Sequence, residues 1–529
     1  MRALWLLAPL TAPLAAARSP LDGQRIELRH VDPCVRLLNA TGTIGCATRS
    51  SGSLAPLHVL RSDADLAALL RAPPEGGMAV ALAAPLFHLT TLRSLATTLG
   101  AKLDGVLVLD ARAMPAQVPS PDLAVPLGTE TQPRHPWNAA GTGFSHERFP
   151  FAIVLLGLVE SAAVLMHGVH AGTSVGSGNR PLVELRYPMS ARGDAPSCLA
   201  SETCLPLGGQ SVWGSLEPRT APDTELLRLG KPAVALTASL DATGFFHETA
   251  PGANAAVASL VAVLAAVDAI VSDPALASQL GSLPNTALFF LFTGEAWGEL
   301  GSRRLLTDAP FKRDLRFLEL RERRLTTLVH VGPIGAREAG EELFIHTSAA
   351  ATNGATNGAA EALRAAASAA PVLSAPSLQV RDATGARGLP PGAARSFVDP
   401  KLQLPNSALP SVATLADFED AYHGGGRYGS HFDTIDGLNV SLVCAAATVA
   451  GPGIERDPST GRWRVTDPDE PLWTESNWPN EMYAFLYPHG APSTVEGLAL
   501  LGVGALGALL TYVATHVSRY QYKNAYKRL

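Results

Sequence analysis

Leu291 to Ser302 reads LFTGEAWGELGS, and what leads into this stretch and what fills it decide the fold. The residues leading in, TALFFLFTG from Thr286, are an apolar run without polar alternation, the pattern of a strand covered on both faces. The same pattern surrounds it. PAVALTASL, TTLVHVG and ELFIHTS read as strands, and AAVASLVAVLAAVDAIV, from Ala255, reads as a helix. Together they predict a large α/β lobe from about Leu205 to Gly451. Upstream, over 18–204, the short runs MAVALAA, GVLVLD and FAIVLL alternate with helically spaced segments such as LTTLRSLATTLG, which predicts a smaller α/β lobe.

At 529 residues the chain exceeds one ordinary domain. Its 41 basic and 47 acidic residues are near balance, and no basic patch points to nucleic acid. Met1 to Ala17 carries Arg2, then LWLLAPLTAPLAAA ending in small residues, and reads as a secretory signal; the alternative is a buried N-terminal strand. The uncharged run Gly497 to Val517 is roughly 31 Å long as a helix and predicts a transmembrane span. Arg519, Lys523, Lys527 and Arg528 follow it, so the tail 518–529 is expected in the cytoplasm and the rest in the lumen or outside the cell. Gly497, Gly504 and Thr511 recur along one side of that span, a face small enough for close helix packing, although Gly and Ala are abundant throughout. The polar, Pro-rich segment 452–496 is expected to be a linker and membrane-proximal stalk. SAAATNGATNGAAEALRAAASAAP is low in complexity and reads as a surface loop and helix. On the lumenal side Asn39 (NAT) and Asn439 (NVS) are glycosylation sequons, and five cysteines suit an oxidising compartment.

LFTGEAWGELGS resembles the metal-site motif of the zinc aminopeptidase and glutamate carboxypeptidase family, G-E-E-x-G-L-x-G-S. There the first Glu is a general base and the second binds zinc. Glu295 stands at the base position and Ala296 at the ligand position. Upstream, LTASLDATGFFHETAPGANAAVASL resembles the segments that supply a zinc His and a bridging Asp, and the matching residues are Ser239 and Ala255; the supporting carboxylate is kept as Asp241. LVHVGPIG puts Gly332 at another metal Asp, and YGSHFDTIDGLN puts Gly429 at the last zinc His, with His431 two residues on. A zinc site needs about three or four N, O or S ligands, and methyl groups and hydrogens donate none. The expectation is a peptidase fold without a metal, a cofactor or its own catalysis.

A damaged site in a membrane-anchored ectodomain resembles the nicastrin family, the large glycoprotein subunits of γ-secretase. PCVRLLNATGTIGC, PWNAAGTGF, FFHETAPGANAAVAS, GEAWGELGS, LPPGAARSF, HFDTIDGLNVS and WTESNWP are similar to nicastrin segments and occur in nicastrin order. The resemblance implies a pair Cys34–Cys46 and a second pair Cys198–Cys204, with Cys444 left over. It implies as partners a presenilin, two small multispanning subunits, and shed type I membrane protein stubs as substrates. It also makes Glu295, with Glu299 beside it, a candidate for meeting the free amino terminus of a stub; the alternative is that Glu295 only holds the turn after its strand. Gly298 and Glu299 stand where the family motif has Asp and Tyr, and Val440 and Trp473 are much closer together than their nicastrin counterparts. Two other functions remain to be weighed, an active membrane aminopeptidase using His247, His330, His423 or His431, and a receptor ectodomain on the same fold.

Overall fold

The structure, a computed structural model, describes residues 26–487 apart from the stretches 111–134, 171–179, 217–231, 309–324, 349–356, 370–377, 403–408, 451–473 and 477–482 and some shorter interruptions. The expected signal peptide, transmembrane helix and tail, most of the linker, and His247 lie outside the described residues.

Strands β1 (Ile26–Leu28), β2 (Val31–Pro33), β3 (Arg36–Leu38), β4 (Thr43–Gly45), β5 (Ser53–Leu60), β6 (Met78–Leu82), β7 (Leu103–Val108), β8 (Ala152–Leu156), β9 (Leu182–Arg186) and β10 (Cys204–Pro206) come first along the chain. The large lobe follows with β11 (Val212–Ser215), β12 (Ala233–Ser239), β13 (Thr286–Phe292), β14 (Leu325–Val331), β15 (Glu342–Thr347), β16 (Gln379–Asp382) and β17 (Ser411–Ala416). Two more strands, β18 (Thr474–Ser476) and β19 (Tyr483–Tyr487), close the described chain.

The small lobe is an eight-stranded sheet in the order β1-β19-β9-β5-β6-β7-β8-β2, in which β5 to β8 run parallel. Helix Asp63–Arg71 connects β5 to β6, and helix Leu89–Leu99 connects β6 to β7. The first of these starts as its sequence dictates, with Ser62 and Asp65 forming a reciprocal capping box. Every residue of β6 is buried, which is why MAVAL shows no alternation. A second, four-stranded sheet in the order β10-β18-β3-β4 is antiparallel. Disulfides Cys34–Cys46 and Cys198–Cys204 tie down its surroundings.

The segment expected as linker and stalk departs from that expectation. β18 pairs with both β10 and β3, and β19 inserts between β1 and β9 with Ala484 and Leu486 fully buried. Both neighbours of β19 would otherwise be open edges, and an unpaired edge between apolar faces is a liability that a late strand removes. Residues near the C-terminus therefore complete the N-terminal lobe.

In the large lobe the order is β11-β13-β12-β14-β17-β15-β16, with β13, β12, β14 and β17 parallel, β11 antiparallel to β13, β15 antiparallel to β17, and β16 parallel to β15. Helices Ala258–Ser272, Gly358–Ala369 and Val440–Ala450 cover one face, and Leu300–Asp308 with Ala394–Phe397 cover the other. The strands and helix expected from PAVALTASL, AAVASLVAVLAAVDAIV, TALFFLFTG, TTLVHVG and ELFIHTS are all present. By length and apolarity Ala253–Ser272 could cross a membrane, yet Ala258, Ala262, Val263 and Val267 pack into the large-lobe core.

Among the described residues, two aromatic contacts join the lobes. Phe245 and Phe246, in the loop after β12, enter the small-lobe core beside Phe87, Phe144 and Phe149, with Phe144 and Phe245 edge to face at 4.6 Å. Backbone bonds fix them there, since the Val35 N–H donates to Phe245 O at 2.8 Å and Cys34 bridges to Phe246. The other contact runs in the opposite direction: Trp137, from the small lobe, is buried against Ala416 and Phe418.

Truncating a fully buried Phe leaves a cavity that neighbours only partly refill, at about 3–5 kcal/mol. Phe245→Ala is expected to lower the denaturant midpoint by an amount in that range. A loss below about 1 kcal/mol in chemical unfolding would mean the ring is not what holds the lobes together.

Candidate functional site

The carboxyl ends of the parallel strands meet at one edge of the large lobe, the usual ligand edge of such sheets. Ser239 ends β12, Ala296 lies in the turn after β13, Gly332 follows β14, and Gly429 sits in the loop after β17. Ala255 belongs to the opening turns of the helix that crosses from β12. The topology thus gathers all five residues expected at ligand positions at that edge, and as a donor set two alanines, two glycines and one serine do not fit a zinc ion. Among the described residues no three His, Cys, Asp or Glu side chains are grouped to hold a metal.

The turn after β13 is tightly built. Gly294 (φ 82°) and Gly298 (φ 79°) take left-handed conformations, and so does Glu299 (φ 57°), where a side chain is strained. Gly301 is needed because a Cβ there would lie 2.2 Å from Thr293 O. Asp241 accepts the Glu295 N–H at 3.1 Å and is also bonded by the backbone of Ala296 and Gly294. Burial pushes its pKa up, and these N–H groups oppose the shift.

Glu295 faces inward. Its Oε1 accepts the Ser302 N–H at 2.8 Å, and its Oε2 lies 3.1 Å from Ser302 Oγ, which is also 2.8 Å from Ser396 Oγ. Desolvation holds the Glu295 pKa well above the usual carboxylate range, with Glu299 and Asp241 adding to the rise. Glu299 is buried as well, 3.7 Å from Arg395 Nη1; Arg303 offsets its desolvation too and pairs with Asp399 at 3.2 Å. Both candidate substrate-contacting carboxylates are therefore engaged inside the lobe. Contact with a peptide terminus requires Ser302 or Arg395 to release them.

Other carboxylates hold the remaining loops. Asp433 accepts the N–H groups of Asn254 and Ala255, each at 2.9 Å, and so fixes the start of the helical run that contains Ala255. Asp417, at the end of β17, accepts from Ala336 N–H at 2.6 Å and Asn254 Nδ2 at 2.9 Å; desolvation raises its pKa, and its Oδ1 has no hydrogen-bond partner. Asn254 Oδ1 in turn accepts the Gly335 N–H. The sequence reading did not single out Asn254, Ser302, Arg395, Asp417 or Asp433. The only signal was position, a polar residue directly after or before an apolar run at the carboxyl edge.

Among the described residues, His330, His423 and His431 do not assemble a site. His330 is buried on β14, its Nδ1 2.9 Å from Thr237 Oγ1 on β12, and burial lowers its pKa to about 4. His431 packs on Phe246 and Phe432, toward the small lobe, and burial likewise lowers it to about 4. His423 is half-buried near Asp417.

Residues 33–191 match the family profile of the nicastrin small lobe, and residues 232–470 that of the nicastrin large lobe. The chain belongs to the nicastrin family. Nicastrin of Arabidopsis thaliana is 28% identical over 453 residues, which cover 82% of this chain and 63% of the relative. Nicastrin of Homo sapiens is 27% identical over 446 residues, covering 79% of this chain and 60% of the relative. The chain thus spans about 60% of the length of these relatives. A crystal structure of the γ-secretase component nicastrin shares the fold, with a TM-score of 0.64 at 20% identity over 82% of this chain and 76% of that one. The nicastrin large-lobe profile runs past the boundary expected at Gly451.

A raised carboxyl pKa means the folded protein favours the neutral form, so the contribution is fullest below the ordinary carboxyl pKa and is lost as pH rises through the folded value. Glu295→Gln keeps an acceptor for the Ser302 N–H and removes the charge. Its stability relative to the parent is therefore expected to improve from pH 5 to pH 8 in thermal unfolding, and an unchanged difference would place an ionised, solvated Glu295 in the parent. Ser302→Ala leaves a buried carboxyl oxygen without its donor and is expected to cost about 1–3 kcal/mol, read by the same measurement.

Proposed function

We propose that this chain is a non-catalytic, type I membrane subunit of a γ-secretase complex. The observation that carries the proposal is the pairing of nicastrin-family lobes with a carboxyl edge whose metal-ligand positions are Ser239, Ala255, Ala296, Gly332 and Gly429. Such a surface can shape and obstruct, and these residue types offer no ligands for a zinc ion to activate water. In this reading hydrolysis belongs to the aspartates of a presenilin partner. Two small multispanning subunits complete the assembly, and the Gly497–Val517 helix supplies packing within the membrane. The ectodomain, glycosylated at Asn39 and Asn439 in the secretory pathway, sterically admits type I stubs whose own ectodomains have been shed. Within it Glu295 and Glu299 act chiefly as internal fasteners, because their oxygens are already spent on Ser302 and on the Arg395 and Arg303 charges. The proposed lobes run over 18–204 and 205–451, and β18 and β19 are assigned to the first of them.

Purification of the full-length chain from its native membranes in mild detergent is expected to bring with it a presenilin and two small multispanning proteins. The same preparation, stripped of presenilin and supplied with zinc, is expected to release no product from aminoacyl substrates. Recovery of the chain alone, together with zinc-dependent turnover lost in Glu295→Gln, would overturn the assignment.

A further inference from the structure

The second contact between the lobes is built around two imidazoles. Trp137 is 2% exposed and has His135 edge-on at 4.6 Å, His346 edge-on at 5.4 Å and Phe418 at 5.9 Å. His135 belongs to the same small-lobe segment as Trp137, and His346 lies on β15 of the large lobe. Each ring places Nε2 on a backbone carbonyl of the loop after β17: His135 at 2.6 Å from Asp420 O, and His346 at 2.8 Å from Phe418 O. Both therefore carry hydrogen on Nε2. The Tyr422 N–H donates to Trp137 O at 2.8 Å, so the same loop binds the segment through its backbone as well. Tyr422 is also stacked on Tyr428 at 3.6 Å, which couples the segment to the loop that holds Gly429.

We propose that this contact is a proton-operated latch, in which protonation of His346, assisted by His135, detaches the Trp137 segment from the large lobe and uncovers the loop after β17. Among the described residues, the charged groups around it are Arg387, Asp420 and Glu419. Arg387, paired with Asp420, opposes a second and third cation at both rings. Glu419 attracts a charge on His346 but is held by the backbone and hydroxyl of Thr384. Desolvation is the largest influence on both imidazoles, and it favours their neutral forms; it lowers His346 from the ordinary 6.5 to about 4 and lowers His135 as well. A detached segment returns His346 to water and to the ordinary value. The sign follows: the latch is tightest above pH 6.5 and loosens as pH falls from there toward 4. By linkage, His346 alone weakens the closed state about thirtyfold at pH 5 relative to pH 7.5. This inference does not depend on the γ-secretase reading, because it concerns only how the two lobes hold each other.

Hydrogen–deuterium exchange of the full-length protein in detergent, corrected for the intrinsic rate at each pH, reads the latch at the Tyr422 amide. The Gly332 amide, bonded to Leu415 O inside the large lobe, is the control for general loosening. Between pH 7.5 and pH 5, protection at Tyr422 is expected to fall about thirtyfold or more while protection at Gly332 holds. In His346→Gln, which keeps a donor for Phe418 O, most of that fall is expected to disappear, and in the double variant with His135→Gln all of it. Protection at Tyr422 that stays level in the parent protein, that falls in step with Gly332, or that still falls in the double variant overturns the proposal. The parent titration alone can do so if a variant fails to fold.

Discussion

Backbone N–H groups at the carboxyl edge of a parallel sheet have no strand to receive them, and the large lobe depends on how they are met. Four parallel strands end there, and their loops turn sharply into helices, so donors converge in a space with little water. In a zinc peptidase, metal ions organise such an edge by drawing side chains from several loops onto one centre. Here carboxylates do the fastening instead. Asp241 takes the turn after β13, Asp433 the start of the helix after β12, and Asp417 joins the loop after β14 to the end of β17. Each is directed at N–H groups, which strengthens the bonds and offsets desolvation. The buried charges Glu299, Arg395, Arg303 and Asp399 then bind the β13 turn to the helix Ala394–Phe397. Loops at such an edge have to be held by something, and here buried carboxylates and ion pairs hold them.

Much of this was legible along the chain. Strands covered on both faces show themselves as unbroken apolar runs, so β6, β8, β12, β13 and β14 were found in place. The residue types at Ser239, Ala255, Ala296, Gly332 and Gly429 were legible too, and the sheet places them at its carboxyl edge. β18 and β19 were not. YAFLY has no turn signals or alternation to mark it as the partner of residues some 450 positions earlier, and its pairing is decided by vacant edges that only the folded lobe presents. The polar staples escaped for a related reason. Asp417 and Arg395 look like ordinary loop and helix residues until the sheet brings Ala336 and Glu299 beside them.

Glu295 sits at the one motif position where the sequence kept an acid, and its contacts all point inward. The sequence left two roles open, capture of an amino terminus and support of the turn. Its geometry favours support, since Ser302 occupies both oxygens and burial holds the proton. The neighbouring change to Glu299 fits the same direction. An acidic residue in a left-handed position, far from water, is tolerated only with compensating charge, and Arg395 and Arg303 supply it.

The placement of β19 ties the two ends of the polypeptide into one cooperative event. A lobe that begins at Ile26 cannot close its sheet until Tyr483–Tyr487 has left the ribosome, so its first strand waits through nearly the whole of translation. The large lobe, by contrast, has every strand of its sheet in hand before that. Synthesis from the N-terminus would therefore finish the second lobe first, and a chain cut short anywhere before residue 483 would expose the gap between β1 and β9 to any chaperone that surveys unpaired strands.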